Sequence, residues 1–312
     1  GAVVALEPRT GKILAMVSYP DFDPNAERLE ADWNTIVERK DSPLLARATQ
    51  GLYPPGSTYK IATAAAAYET GRIAETFQDT GKFEQDGLHV DNYGKTAYGE
   101  IDLKRAFAVS SNFAFCTLGY EMGSDKVLEM AERFGINKSI DFDLASSKSQ
   151  IQYKKMTNAD AALVSIGQGQ LLMTPLHVAM MGAAVANGGT MMKPYVVDSV
   201  TTSSGLTLSQ TKPSVLYEAL STECADYLGE LMQNVVENGT GKSSRISGIT
   251  VAGKTGTAEN ETDKDHAWFV GYAPAENPQI AVAVLLEYDG GAGGTNAGPI
   301  ARNIIRKYLS AK

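Results

Sequence analysis

The chain has 312 residues, of which 43% are hydrophobic and 21% charged, a balance that buries a sizeable core in one large domain or two smaller ones. A net charge of -8 and a pI near 5.1 exclude nucleic acid as the main partner, because phosphate binding needs a basic face. Cys116 and Cys224 are too few for a disulfide framework, and no run approaches the roughly 20 apolar residues of a membrane span. Ala2 to Leu6 and Ile13 to Ser18 read as strands, and Pro8 and Gly11 between them supply turn chemistry, so a hairpin is predicted. A chain that opens directly on a strand reads as an excised domain of residues 1–312, with an upstream anchor and pedestal expected outside it.

After the loop Tyr53-Pro-Pro-Gly56, an Ala-rich unbroken run predicts a helix beginning at Ser57. Further helical patterns cover Leu103 to Val109, Asn112 to Glu121, Lys126 to Phe134, Pro175 to Ala186, Glu223 to Glu237 and Pro299 to Leu309. Thr250 to Lys254, Ala267 to Tyr272 and Ile280 to Glu287 read as three consecutive strands. Strands at both ends and helices between them predict an α+β domain: one largely antiparallel sheet built from both chain ends and flanked by helices.

Three short motifs carry chemistry. In Ser57-Thr-Tyr-Lys60, one helical turn puts the serine and the lysine on the same face. A serine hydroxyl needs a base within reach, and a lysine serves only if its pKa falls far below ~10.4 through desolvation or a neighbouring cation. Ser209-Gln-Thr-Lys212 has the same spacing, but it lies in a polar, Pro-flanked segment and is read as a loop. Ser110-Ser-Asn112 falls between two helical runs, where a hydroxyl and an amide can face a cleft; taken alone, simple capping of the following helix by Ser110 or Ser111 is the plainer reading. Lys254-Thr-Gly-Thr257 ends a predicted strand. There a lysine, two hydroxyls and an edge N–H suit a carboxylate and a peptide carbonyl, while Gly256 permits close approach to the backbone; a polar turn is the plainer alternative.

Taken in order, Ser-x-x-Lys, Ser-x-Asn and Lys-Thr-Gly resemble the signature set of penicillin-recognising serine enzymes. Gly1 to Asn25, Tyr53 to Lys60, Gly167-Gln-Gly-Gln-Leu-Leu-Met-Thr-Pro175 and Ala267-Trp-Phe-Val-Gly-Tyr272 resemble a class B penicillin-binding transpeptidase domain over essentially the whole chain. The resemblance implies a β-lactamase/transpeptidase-like fold and a cofactor-free D,D-transpeptidase of the extracytoplasmic face. Its substrates would be peptidoglycan stem peptides ending in D-Ala-D-Ala, β-lactams would acylate it, and a SEDS-type glycosyltransferase would be a partner of the upstream region. It also implies Ser57 as nucleophile, Lys60 as base, Ser110 as proton relay and Asn112 as a ligand of the substrate amide. Lys254, Thr255 and Thr257 would hold the terminal carboxylate, with Gly256 between them. Backbone N–H groups of Ser57 and Thr257 would form the oxyanion hole.

His89, His177 and His266 lack metal-ligand spacing, so no metal is expected. Tyr59 is read as an apolar packing residue whose hydroxyl needs a partner. The rivals are a serine β-lactamase, a D,D-carboxypeptidase and a non-enzymatic β-lactam sensor. Against the first, no Glu followed three residues later by Asn stands between Asn112 and Lys254. A carboxypeptidase differs mainly in using water as acceptor, and sequence does not separate the two. The opening strands and Tyr53-Pro-Pro-Gly favour a transpeptidase over a sensor.

Overall fold

The computed structural model describes residues 1–260 and 264–311. Five antiparallel strands form one sheet: β1 (Ala2–Leu6), β2 (Ile13–Ser18), β3 (Ala252–Ala258), β4 (His266–Ala273) and β5 (Ile280–Leu286), in the order β3-β4-β5-β1-β2. The two chain ends are sewn together by the β1–β5 register, in which Ala2 faces Leu285 and Leu6 faces Ala281.

Strand β5 reads Ile-Ala-Val-Ala-Val-Leu-Leu with no polar alternation because both faces of the sheet are covered. Ala281, Ala283 and Leu285 join the larger core with Trp268 and Val270 of β4, whereas Ile280, Val282 and Val284 pack with Ala297, Ala301 and Ile305 of the C-terminal helix. The helices of seven residues or more among the described residues are α1 (Ala26–Glu38), α2 (Lys60–Glu69), α3 (Leu103–Val109), α4 (Asn112–Arg133), α5 (Asn158–Ser165), α6 (Pro175–Ala186), α7 (Thr222–Asn238) and α8 (Ala297–Ser310). Pro175 sits in the first turn of α6 behind the Thr174 cap, where its missing N–H has no cost. Residues Lys60 to Ala67 of α2 are all buried, which explains the alanine run: small side chains let a helix be enclosed on every side.

The α+β reading holds. Three details differ from the sequence expectations. A 3-10 turn, Gly56–Tyr59, carries Ser57, and the α-helix starts at Lys60. The two runs 112–121 and 126–134 form one element broken at Gly123, whose φ of 76° and ψ of 171° are not helical. Strand β3 begins and ends later than predicted, so Lys254 to Thr257 lie inside it and not at its end. Helices α1 and α5 were not anticipated; α1 is mostly exposed, and of its apolar stripe Leu29, Trp33, Ile36 and Val37 only Ile36 is buried.

Tyr59 is buried as expected, yet among the described residues its hydroxyl has no hydrogen-bond partner. An unpaired buried hydroxyl is destabilising by about 1–3 kcal/mol. Tyr59→Phe is therefore expected to raise the melting temperature, or at least to leave it unchanged, in a thermal melt; a fall of several degrees would show that the hydroxyl is satisfied.

Candidate active site

The nucleophile segment is wedged between two other backbones. Gly56, at a φ of +53°, has the space of its absent Cβ filled by Thr257 O at 2.6 Å. Its N–H donates to Gly167 O at 3.0 Å. Trp268 Nε1 donates to Pro54 O at 3.1 Å, tying the preceding loop to β4. Gly256 plays the matching part from the strand: a Cβ there would stand 3.0 Å from both Thr58 Cγ2 and Trp268 Cβ. The absent side chain at 256 thus makes room for the serine turn, a use of glycine different from the one read in the sequence.

Ser110 ends α3 in the left-handed conformation, φ 61° and ψ 40°, which is strained for a residue with a side chain. Ser111, not Ser110, caps α4 by accepting from Ala114 N at 3.0 Å. Capping therefore accounts for the second serine and leaves the first free for the cleft. Ser57, Ser110, Asn112, Thr255 and Thr257 all line one cleft of about 900 Å³.

Both motif lysines are completely buried against Ser110. Lys60 Nζ donates to Ser110 O at 2.8 Å, Asn112 Oδ1 at 2.8 Å and Ser110 Oγ at 3.3 Å. Lys254 Nζ reaches the same Ser110 Oγ at 2.9 Å and Thr255 O at 3.1 Å. Among the described residues neither lysine has a carboxylate in ion-pair contact, so burial disfavours the charged form of each. Desolvation brings Lys60 down to about 7, against weak opposition from Cys116 and Asp79. Desolvation, reinforced by the charge of Lys60, pushes Lys254 well below the usual lysine range. Two amines sharing one hydroxyl cannot both be ammonium cheaply, and a neutral amine near pH 7 is a base.

Ser57 Oγ has no hydrogen bond among the described residues, and Lys60 is engaged by Ser110 and Asn112. Asn112 is itself fixed: its Nδ2 donates to Asp91 O at 2.8 Å, leaving one N–H hydrogen for a ligand. Thr255 Oγ1 lies 2.6 Å from Thr240 Oγ1, which also lines the cleft. Sequence reading missed Thr240, and also Asp79 and Asn92 behind Ser111, because nothing in their local spacing marks them. His177 is buried with Nε2 on Phe134 O, and His266 accepts from Tyr288 N within β4 and does not line the cleft. His89 stands at the cleft rim between Glu84 and Asp91. Ser209 lies on an exposed ribbon strand, Thr207–Gln210.

The chain matches the family model of the penicillin binding protein transpeptidase domain over residues 1–306. It belongs to the penicillin-binding protein transpeptidase family. Among curated relatives of this transpeptidase chain, the peptidoglycan D,D-transpeptidase PbpA of Mycolicibacterium smegmatis is 39% identical over 337 residues, covering 99% of this chain and 67% of that protein. The peptidoglycan D,D-transpeptidase MrdA of Acinetobacter baumannii is 32% identical over 341 residues, covering 99% of this chain and 50% of that protein. Among solved structures, the ceftriaxone acyl-enzyme of penicillin-binding protein A from M. tuberculosis superposes with a TM-score of 0.94 at 37% identity, over 99% of this chain and 74% of that one. The D,D-transpeptidase domain of a peptidoglycan glycosyltransferase from Eggerthella lenta gives 0.92 at 38% identity, over all of this chain and 78% of that one. Among the described residues of the transpeptidase chain, no helix is long and apolar enough to cross a membrane.

Proposed function

We propose that this chain is the catalytic domain of a peptidoglycan D,D-transpeptidase. Ser57 Oγ attacks the carbonyl of the penultimate D-Ala of a stem peptide, and its proton passes to the neutral amine of Lys60. The tetrahedral oxyanion is held by the backbone N–H groups of Ser57 and Thr257. The C–N bond then breaks, and Ser110, bridging the two lysines, returns a proton to the departing D-Ala amine. Asn112 offers its remaining N–H to the stem-peptide amide, while Lys254, Thr255 and Thr257 bind the terminal carboxylate. An amine from a neighbouring stem then attacks the acyl-serine; its proton passes through Ser110 and Lys60 to Ser57 Oγ as the C–O bond breaks, which forms the cross-link and frees Ser57.

The observation that carries this reading is the convergence of two buried lysines on Ser110 Oγ at the wall of the cleft that Ser57 lines. A β-lactam resembles the D-Ala-D-Ala end and would leave the serine acylated. The domain is expected to work on the extracytoplasmic face, where its polymer lies, and alongside a SEDS-type glycosyltransferase; both expectations rest on family likeness.

The test is intact-protein mass spectrometry after incubation with penicillin, comparing wild type with Ser57→Ala. A single lasting adduct on wild type and none on the variant is expected. An adduct that survives in Ser57→Ala would sink the assignment, and rapid turnover of the drug without an adduct would point to a β-lactamase.

A further inference from the structure

Behind the Ser110–Asn112 segment lies a buried polar cluster, one member of which, Asn92, also borders the cleft. Asp79, Asn92 and Ser111 are 2%, 2% and 1% exposed. They come from three separate segments: the strand Thr76–Asp79, the loop before Tyr93, and the cap of α4. The Asp79 carboxylate accepts from Gly81 N at 2.7 Å, from Asn92 Nδ2 at 2.9 and 3.0 Å, and from Ser111 Oγ at 2.6 Å. Asn92 also donates to Thr96 O at 2.8 Å, and its Oδ1 accepts from Asn112 N at 2.7 Å and Phe113 N at 3.0 Å. Every polar atom of both side chains is therefore used.

Two features set this cluster apart from an ordinary helix cap. Ser111 Oγ already caps α4 through Ala114 N, so the Asn92 carbonyl is a second, independent acceptor for the first N–H groups of that helix. The helix terminus so held bears Asn112, whose Oδ1 fixes Lys60 Nζ. The strand Leu88–Asp91, just before Asn92, supplies Asp91 O, which fixes the Asn112 amide from the other side. The chain Asp79–Asn92–Asn112–Lys60 is continuous hydrogen bonding from a buried carboxylate to the amine assigned as base.

We propose that Asp79 and Asn92 are positioning residues for acylation: they hold the start of α4 and, through Asn112, set the place of the Lys60 amine. The inference deepens the transpeptidase reading and rests on it. A carboxylate here is needed because three N–H or O–H donors converge on it, and an amide in its place would turn one N–H towards a donor. The groups facing Lys60 are Lys254 from β3, Cys116 from α4 and Asp79. Of these, Cys116 and, after it, Asp79 favour the ammonium, while the second amine, Lys254, opposes it.

The experiment measures the rate of penicillin acylation against pH for wild type, Asp79→Asn and Ser111→Ala, with a thermal melt of each. In Asp79→Asn the plateau rate is expected to fall by about tenfold or more, since an ångström of misplacement costs up to about 10²-fold. Its acid limb should move to lower pH, because removing the negative charge makes the Lys60 amine easier to deprotonate. Ser111→Ala keeps that charge but removes both a bond to Asp79 and the α4 cap, so its plateau should fall while its acid limb stays. A merely structural cluster would lower the folded fraction and leave the plateau rate per folded molecule at the wild-type value. Wild-type plateau and limb in both folded variants, or a loss explained wholly by the folded fraction, would overturn the proposal. Failure of wild type itself to be acylated at Ser57 would instead overturn the functional reading beneath it.

Discussion

Replacing Lys60 with methionine is expected to slow acylation of Ser57 by about 10³-fold, within the 10²–10⁴ that a positioned general base supplies. Methionine fills a similar volume at a site that is fully buried, so the chain should still fold. Two acceptors, Ser110 O and Asn112 Oδ1, lose their donor, which destabilises by about 1–3 kcal/mol each where no other donor reaches them. Circular dichroism and stopped-flow acylation of the same preparation separate the two effects. If Lys254→Met abolishes acylation while Lys60→Met spares it, the base is the other lysine.

The same amine fixes the pH behaviour. Lys60 acts as base only when neutral, so the wild-type acylation rate should climb through about pH 7 and level off above it. Stability follows the same titration. Between about pH 7 and the reference value near 10.5, the unfolded chain binds a proton that the folded chain does not. Stability therefore rises with pH across that window, by about 1.4 kcal/mol per unit for one proton, and this contribution is lost as pH falls towards 7. Above pH 10 the slope should reverse, because burial raises the phenols of Tyr53, Tyr59 and Tyr272, which ionise more readily once unfolded. Urea titrations from pH 6 to 10.5 check the sign; a monotonic fall over pH 7–10 would rule out a neutral buried Lys60.

Gly167→Ala is the second large effect. Gly167 has a φ of +78°, and a Cβ there would lie 2.0 Å from Gly56 O and 2.7 Å from Gly56 N. These are backbone atoms, so no side chain can swing aside. Gly56 cannot retreat either, since its own other side abuts Thr257 O. The added methyl must therefore push the turn carrying Ser57 against the β3 strand that lines the opposite wall. An acylation loss of about 10²-fold or more is expected, with a stability loss of about 2–4 kcal/mol from overpacking plus left-handed strain. Gly71→Ala is the control: its φ is +73°, but nothing lies within 4 Å, so only the strain of about 1 kcal/mol should appear and acylation should be unchanged. Equal acylation rates for the two variants would refute the wedge.

Motif identity and order were legible without coordinates because they are local: a serine and lysine one turn apart, a Ser-x-Asn between helical runs, a Lys-Thr-Gly near strands. The α+β class was legible for a similar reason, since apolar runs with turn residues at both chain ends and helical patterns between them are short-range signals. Which serine of the Ser110–Ser111 pair faces the cleft was not legible, as either side chain could cap α4. The three-dimensional path decides it, by stopping α3 at a left-handed Ser110 and committing Ser111 to Ala114 and Asp79.

By itself, then, the sequence determined the family, the sheet joining the chain ends and the residue types of the cleft. Tertiary structure alone decided that the two lysines are buried on one hydroxyl, that glycines 56 and 167 let backbones touch while glycine 256 makes room for the serine turn, and that Asp79 and Asn92 stand behind Asn112. The reason is physical: residue type and spacing report local conformation, whereas desolvation, close backbone approach and shared hydrogen bonds are properties of segments brought together from 13 to 214 residues apart, about which periodicity is silent.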